Sequence, residues 1–366
     1  MIGSIYLFIT EECNLTCKYC FNDDSLQQTK EVLELSDFKV MFKNLIEYNK
    51  LYNNNKITIH FFGGEPTIHL DLIESIIDYV LSFEKIMSSF FLFTNGILLY
   101  RNTDTFIRIH KKSNLRIQLS VDSDPSIDSE RTFRFGKEKY EKSINNTIDF
   151  LINNKIRFTI RATLPQARIK NFYQNYKYFF ELTKKHKDIL SNFDFYPDHV
   201  TSIWSDSDIE ILKEEINKIV QHQYNEYKNN NKLISDSFFR LALKQFGINN
   251  GIISIKSARN ARVCGFCHKL VAVGTNGDIY ACHRVYKIDK MKVGNLIDND
   301  INIQKKESIS SVLNNRTFIK PHYNLKYSSC NECIIKETCK AVCPANSFYT
   351  SQEREKFECI FIVHNI

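Results

Sequence analysis

Over the first 200 or so residues, short apolar runs alternate with longer stretches whose apolar positions recur every three or four residues. Ser4–Ile9, Lys56–Phe62, Phe90–Phe93, Leu115–Val121, Arg157–Thr163 and Phe193–Tyr196 read as strands. Between them, Ser36–Tyr52, Asp71–Phe83, Thr103–His110, Lys137–Asn153 and Asn171–His186 carry the helical period, with Ser36 placed to cap the first helix. Strands alternating with helices predict βα units around a parallel sheet. Six strands in that rhythm predict an α/β fold of partial-barrel type, (β/α)6, rather than a closed eight-fold barrel. Beyond it, Ser207–Tyr227 reads as a polar amphipathic helix, Asn229–Asn231 as a turn and Asp236–Phe246 as another helix. From Cys264 onward the α/β rhythm stops. The expected organisation is a barrel over residues 1–205, a helical bridging region over 206–260 and a metal-organised domain over 261–366.

Composition changes this picture in one respect. Apolar residues at 43% and charged residues at 25% are ordinary for a globular chain, but eleven cysteines are not. Residues 1–9 lack the basic start and small-residue cleavage site of an export signal, which places the chain in the cytoplasm. In a reducing compartment clustered cysteines hold metal or do redox chemistry rather than form disulfides. No run approaches about 18 apolar residues, so a membrane span is not expected. The net charge of +7 is spread along the chain. It is compatible with an acidic peptide partner, and no nucleic-acid motif accompanies it.

Cys13, Cys17 and Cys20 form C-x3-C-x2-C just after the first strand. Three thiolates can hold three irons of a 4Fe–4S cube and leave the fourth open to another ligand. A zinc site ordinarily takes four ligands, and no fourth lies near. With Asn14, Leu15, Tyr19 and Phe21, this stretch resembles the signature of the radical S-adenosylmethionine (SAM) superfamily. The resemblance implies that the open iron chelates SAM, and that reductive cleavage gives methionine and a 5′-deoxyadenosyl radical. Tyr19 and Phe21 would then shield the cluster and contact adenine.

Other segments match in chain order. Gly63-Gly64-Glu65 follows the second strand and is similar to the family's GGE element, in which Glu65 would accept the SAM ammonium. Thr94 and Asn95 follow the third strand. Ser120 and Asp122 end the fourth, where the resemblance implies ribose contacts. Arg131 matches a position that pairs with the SAM carboxylate, a task its two-pronged guanidinium suits. All lie at the C-terminal ends of strands, where parallel α/β barrels build their sites.

The remaining cysteines are Cys264, Cys267, Cys282, Cys330, Cys333, Cys339, Cys343 and Cys359. Their spacing resembles the SPASM extension found in radical SAM enzymes that act on peptides. The resemblance implies two auxiliary 4Fe–4S clusters. Cys264, Cys267, Cys282 and Cys343 would hold one, and Cys330, Cys333, Cys339 and Cys359 the other, making three clusters in all. Two structural zinc sites are the alternative. Sulfatase-maturing relatives carry an Asp directly after the position of Cys282 as the base for formylglycine formation. Here His283 and Arg284 stand there, which is more like enzymes that crosslink ribosomally made peptides through thioether, carbon–carbon or carbon–oxygen bonds. His283 and Asp198 are the candidate bases, beside His199; histidine suits the task because the free imidazole titrates near neutral pH. The first strand begins almost at Met1 and leaves no room before it for a leader-recognition domain, so a separate leader-recognition protein would deliver the peptide or the barrel and C-terminal domain would bind it directly. An electron donor such as flavodoxin or ferredoxin is implied too. A small-molecule substrate is the other enzymatic reading.

Overall fold

The computed structural model describes residues 1–20, 31–124, 130–134, 140–198, 202, 204–230, 248–249, 252–253 and 266–314. Phe21, His199, Cys264, the five cysteines from Cys330 to Cys359 and the expected helix Asp236–Phe246 lie outside that set. The chain divides into two compact units.

The first unit takes in residues 1–120, 131–154 and 264–312. Its strands are β1 (Ser4–Thr10), β2 (Leu15–Cys17), β3 (Lys56–Gly63), β4 (Met87–Thr94), β5 (Arg116–Ser120) and β6 (Arg131–Phe133). Helices α1 (Leu35–Lys50), α2 (Leu70–Leu81), α3 (Thr103–Ser113) and α4 (Tyr140–Asn153) lie between or after them. β1, β3, β4 and β5 pair side by side and parallel, as the βα rhythm predicts. Alternation along β3 sends Ile57, Ile59 and Phe61 to one face, each at most 1% exposed. Apolar stripes of the helices bury there too, among them Phe38, Phe42 and Leu45 of α1 and Ile73, Ile76 and Val80 of α2. Burying each such side chain contributes about 1.5–3 kcal/mol. The buried Asn49 of α1 pairs with the chain's start: its amide accepts from the Ile2 N–H and donates to the Ile2 carbonyl, at 2.8 and 2.7 Å.

The opposite face of the sheet is aromatic and half-buried. The register Tyr6↔His60↔Phe91 lines up rings from three strands. Tyr6 stacks on His60 at 4.5 Å and His60 on Phe91 at 4.9 Å.

β11 (Leu270–Val273) joins β1 on its free side, parallel, with Ser4 opposite Leu270. β12 (Asp278–Tyr280), β13 (Lys292–Asn295) and β14 (Asp300–Ile301) follow as an antiparallel meander. The cysteine-bearing stretch around Cys267 and Cys282 is thereby part of the first unit's sheet edge.

The second unit takes in residues 121–130, 155–263 and 313–366. β7 (Phe158–Leu164) and β8 (Leu190–Pro197) pair in parallel. They are joined through α5 (Phe172–Lys185), and α6 (Asp206–Asn230) follows β8. Phe172, Phe179 and Phe180 of α5 and Leu212 and Ile219 of α6 are fully buried. The lone Trp204 packs at 2% exposure. β9 (Ile248–Asn249) and β10 (Ile252–Ile253) form a short antiparallel pair.

Two local expectations are corrected. Ser36 does not cap α1. The helix begins at Leu35, behind Glu34, because the N–H of Leu33 bonds to the Ile9 carbonyl and sets the chain's approach. Asn229–Asn231 is not a turn: α6 runs on through Asn230, carried by its buried apolar stripe despite the weak helix propensity of Asn. Among the described residues, no helix is long and apolar enough to cross a membrane.

Candidate active site

β1 ends at Thr10 and feeds the loop that carries Cys13, Cys17 and Cys20, all half-buried free thiols. The Cys20 N–H turns back to the Cys17 carbonyl at 3.0 Å. The Leu15 N–H points at Cys13 Sγ at 3.5 Å. Burial pushes the Cys13 thiol well up from its ordinary range, and the Glu65 carboxylate adds to this, with Cys17 and Cys20 contributing in turn. Such a thiol keeps its proton until a metal cation replaces it.

The two glycines after β3 explain how the loop is held. A Cβ on Gly63, whose φ is +133°, would sit 2.2 Å from the Thr10 carbonyl oxygen, and one on Gly64 would sit 2.1 Å from that of Glu12. Only glycine permits this contact. It lets the Gly64 N–H reach the Thr10 carbonyl and the Glu65 N–H the Glu12 carbonyl, both at 2.8 Å. The glycines thus bring backbone against the stem of the cysteine loop.

Glu65 is 1% exposed, and its carboxylate accepts four hydrogen bonds from this chain. Oε1 takes the Thr67 N–H at 3.0 Å, the Thr67 hydroxyl at 2.5 Å and the Thr94 hydroxyl at 2.7 Å, while Oε2 takes the Asn95 N–H at 2.7 Å. Burial pushes its pKa up and these donors pull it back. Glu65 therefore ties the end of β3 to the end of β4. Asn95 passes the connection on, its side-chain amide donating to Asn14 Oδ1 at 2.7 Å, inside the cysteine loop.

Arg131 arrives by a pairing that no local pattern reveals. β2 and β6 form an antiparallel ribbon with Cys17 opposite Arg131, and Arg131 Nη1 lies 3.8 Å from Cys17 Sγ, its guanidinium 5.4 Å above the Tyr19 ring. Arg134, which the sequence reading passed over, donates to the Cys13 carbonyl at 3.2 Å. Ser120 presents its carbonyl to the Tyr140 hydroxyl at 2.6 Å.

This loop, with its three thiols and its braces, falls within residues 7–164, which match the model of the radical SAM superfamily. Residues 7–164 are a radical SAM domain. The fold agrees: anSMEcpe with bound AdoMet and the Cp18Cys peptide superimposes with a TM-score of 0.70 at 19% identity, over 100% of this chain and 97% of that one. Among curated relatives, the radical SAM cyclopropyl synthase TigE of Paramaledivibacter caminithermalis is 25% identical over 301 residues, 77% of this chain and 57% of TigE. Molybdenum cofactor biosynthesis protein 1 of Dictyostelium discoideum is 28% identical over 226 residues, 60% of this chain and 32% of that protein. The chain thus spans 57% and 32% of the lengths of these relatives.

A radical SAM domain implies a 4Fe–4S cluster and SAM, and the residues fit. Three thiols share one short loop, an N–H points at one sulfur and a guanidinium stands near another. These are the donors that settle thiolate charge around a cluster.

In the radical SAM domain's unit, Cys267 and Cys282 are both buried, and the Cys267 N–H bonds to the Ala281 carbonyl, next to Cys282. Burial raises the Cys267 thiol to about 11. His283 Nδ1 lies 3.4 Å from Cys282 Sγ. Its ring stacks on Tyr6 at 4.1 Å and tilts against Phe62 at 5.0 Å, so it rests on the aromatic face of the sheet.

In the second unit, Asp122 is 6% exposed and one carboxylate oxygen accepts the Thr163 N–H at 3.0 Å. Asp198 is 2% exposed, accepts the Ser202 hydroxyl at 2.7 Å and offers its carbonyl to the Trp204 indole N–H at 2.9 Å. The Asp122 carboxylate is thus tied to β7, and the Asp198 carboxylate to a hydroxyl four residues on. Glu181, His222 and Glu226 also gather in this unit. Lys184 already bonds both Glu226 oxygens, at 3.0 and 2.9 Å, so that carboxylate is engaged in an ion pair.

Proposed function

We propose that this chain is a radical SAM enzyme that oxidatively modifies a ribosomally synthesised peptide or protein, installing a side-chain crosslink of thioether, carbon–carbon or carbon–oxygen type. The observation that carries the reading is the cysteine loop itself: three thiols on a backbone-braced stem, joined through Asn14 to Asn95 and through Asn95 to Glu65. Cys13, Cys17 and Cys20 would hold the cluster, whose open iron binds SAM. Reductive cleavage there supplies the 5′-deoxyadenosyl radical that abstracts a hydrogen atom. Gly63, Gly64 and Glu65 set the loop's height, and Thr94 and Asn95 lock it. These five, with Tyr19, Phe21, Ser120, Asp122 and Arg131, remain the SAM-contact set that the resemblance implies.

The peptide half rests on the second cysteine set. Cys267 and Cys282 are buried and adjacent through backbone, on a meander attached to β1. With Cys264 and Cys343 they would hold one auxiliary cluster, and Cys330, Cys333, Cys339 and Cys359 another. Loss of two hydrogens from substrate leaves one electron after the radical step, and a cluster beside the site can take it. The same fold holds AdoMet and a peptide together in anSMEcpe. His283, on the aromatic face, is the base we favour over Asp198, whose carboxylate is committed to Ser202. The organisation we propose keeps the barrel at 1–205, the bridge at 206–260 and the auxiliary domain at 261–366. A separate protein would deliver the peptide, or the barrel and C-terminal domain would bind it directly, and flavodoxin or ferredoxin would supply the electron.

A small-molecule substrate is the second reading, favoured by the similarity to molybdenum cofactor biosynthesis protein 1. Anaerobic coexpression with any small peptide encoded beside the gene decides between them. Peptide lighter by two hydrogens per modification supports the crosslink. An aldehyde at a Cys or Ser would instead indicate formylglycine. Unchanged peptides, in an enzyme that still cleaves SAM, would turn the search to small molecules.

A further inference from the structure

Glu11 lies two residues before Cys13, yet its carboxylate is committed to the far end of the first unit's chain. It is 2% exposed. Its Oε1 accepts the Tyr286 hydroxyl at 2.9 Å and pairs with Lys287 Nζ at 2.6 Å. These two residues follow Cys282 by four and five positions.

The surroundings hold this contact in a single geometry. The Tyr286 ring stacks on Phe8 at 3.8 Å, within a buried cluster that includes Ala272 and Tyr280. A side chain at Gly274 would meet the Tyr286 hydroxyl at 3.0 Å, so the glycine leaves the space that hydroxyl uses. Lys287 has φ +59°, a left-handed conformation that a non-glycine residue keeps only where neighbours impose it. On the other side, the Glu11 N–H bonds to the Glu31 carbonyl at 3.0 Å, and the Glu11 and Glu12 carbonyl oxygens are those that Gly64 closes upon. One buried carboxylate thus joins the stem of the Cys13 loop to the turn after Cys282. A buried charge with both a cation and a hydroxyl donor holds its partners stiffly, because breaking either contact strands charge away from water.

We propose that Glu11, with Tyr286 and Lys287, is a strut that fixes the Cys13 loop relative to the segment carrying Cys282, so that the two candidate cluster-bearing stretches move as one body. Glu11 is a positioning residue. It acts through the loops it joins and touches neither substrate nor SAM. The proposal rests on the reading above only in treating both stretches as cluster-bearing.

The test is hydrogen–deuterium exchange on the anaerobic, iron-loaded full chain, comparing wild type with E11Q, K287M and the charge-reversed pair E11K/K287E. Each single substitution is expected to speed exchange in both residues 13–20 and residues 267–287, on the order of tenfold, while α2 is unchanged. The reversed pair is expected to restore protection in both stretches together, a rescue that mere loss of packing would not give. The EPR signal of the dithionite-reduced protein with SAM should broaden in the singles and sharpen in the pair. If E11Q does not fold, Y286F gives the milder cut and is read the same way. Loosening confined to the mutated stretch, or no rescue by the pair, overturns the strut. Reductive cleavage of SAM by wild type is run beside it: its failure counts against the radical SAM reading and leaves the exchange result standing.

Discussion

The loop around Cys13 is braced by glycine-permitted backbone contacts, whereas the segment around Cys282 adds side-chain contacts from distant residues to its backbone pairing. In the first, carbonyls of Thr10 and Glu12 receive N–H groups of Gly64 and Glu65, and glycines are obligatory because any Cβ would collide with main chain. In the second, a ring stack of His283 on Tyr6 and the Glu11–Tyr286–Lys287 contact are added to the backbone bonds of Cys267 to Ala281 and of Ala281 to Met291. A backbone-built site tolerates almost no substitution at its glycines and leaves a short, readable motif. A side-chain-built site can be assembled from many residue combinations, and its partners are scattered through the sequence.

The largest expected effect breaks the first region. Gly64→Ala sets a methyl group 2.1 Å from a carbonyl oxygen, so the loop stem must shift. We expect a loss of about 3 kcal/mol or more and failure to load the first cluster, read from urea midpoints and iron content. Next, Glu65→Gln places an amide among four donors and leaves at least one of them unmet. That costs about 2–3 kcal/mol, with SAM cleavage falling more steeply than iron content. Equal stability of Glu65→Gln and wild type would show that the carboxylate is not the tie between β3 and β4.

The third concerns the face that both regions share. Burial, with Arg116 adding to it, lowers the His60 pKa to about 4 from an ordinary 6.5. Between those values the unfolded chain takes up a proton that the folded chain refuses. His60's contribution is therefore complete above pH 6.5 and is lost as pH falls toward 4, by at most about 3 kcal/mol. His60→Phe should flatten that acid limb in urea titrations at stepped pH, and an unchanged slope would assign the limb elsewhere. The smallest effect belongs to the second region. His283→Ala removes one ring stack, about 1 kcal/mol, and should leave iron at the first cluster untouched. If His283 is the base, peptide modification should also fall by about 10²-fold or more while uncoupled SAM cleavage persists.

What the sequence discloses follows the same division. β1, β3, β4 and β5 are legible within a few residues because each alternates between a helix-covered and a half-buried face, and the motifs at their ends are contiguous. The joining of Glu65 to Thr94 and Asn95 was not legible, since the motif points to a ligand ammonium and says nothing of the next strand. Arg131 was visible as a match, but its place opposite Cys17 depends on a ribbon whose strands lie 114 residues apart. The meander around Cys282 was hidden for a like reason: β11 pairs with β1 across more than 260 residues, and no local period encodes that partnership. Ser36 misled because Ser is a good cap in isolation, while Leu33 bonded to Ile9 had already fixed where α1 starts.

The most direct measurement is reductive SAM cleavage by anaerobically reconstituted protein, wild type beside the C13A/C17A/C20A variant, with iron counted in each. The account expects about twelve irons in wild type, about eight in the variant, and 5′-deoxyadenosine with methionine from wild type alone. Wild type that holds only zinc, or that leaves SAM intact when reduced, would contradict it.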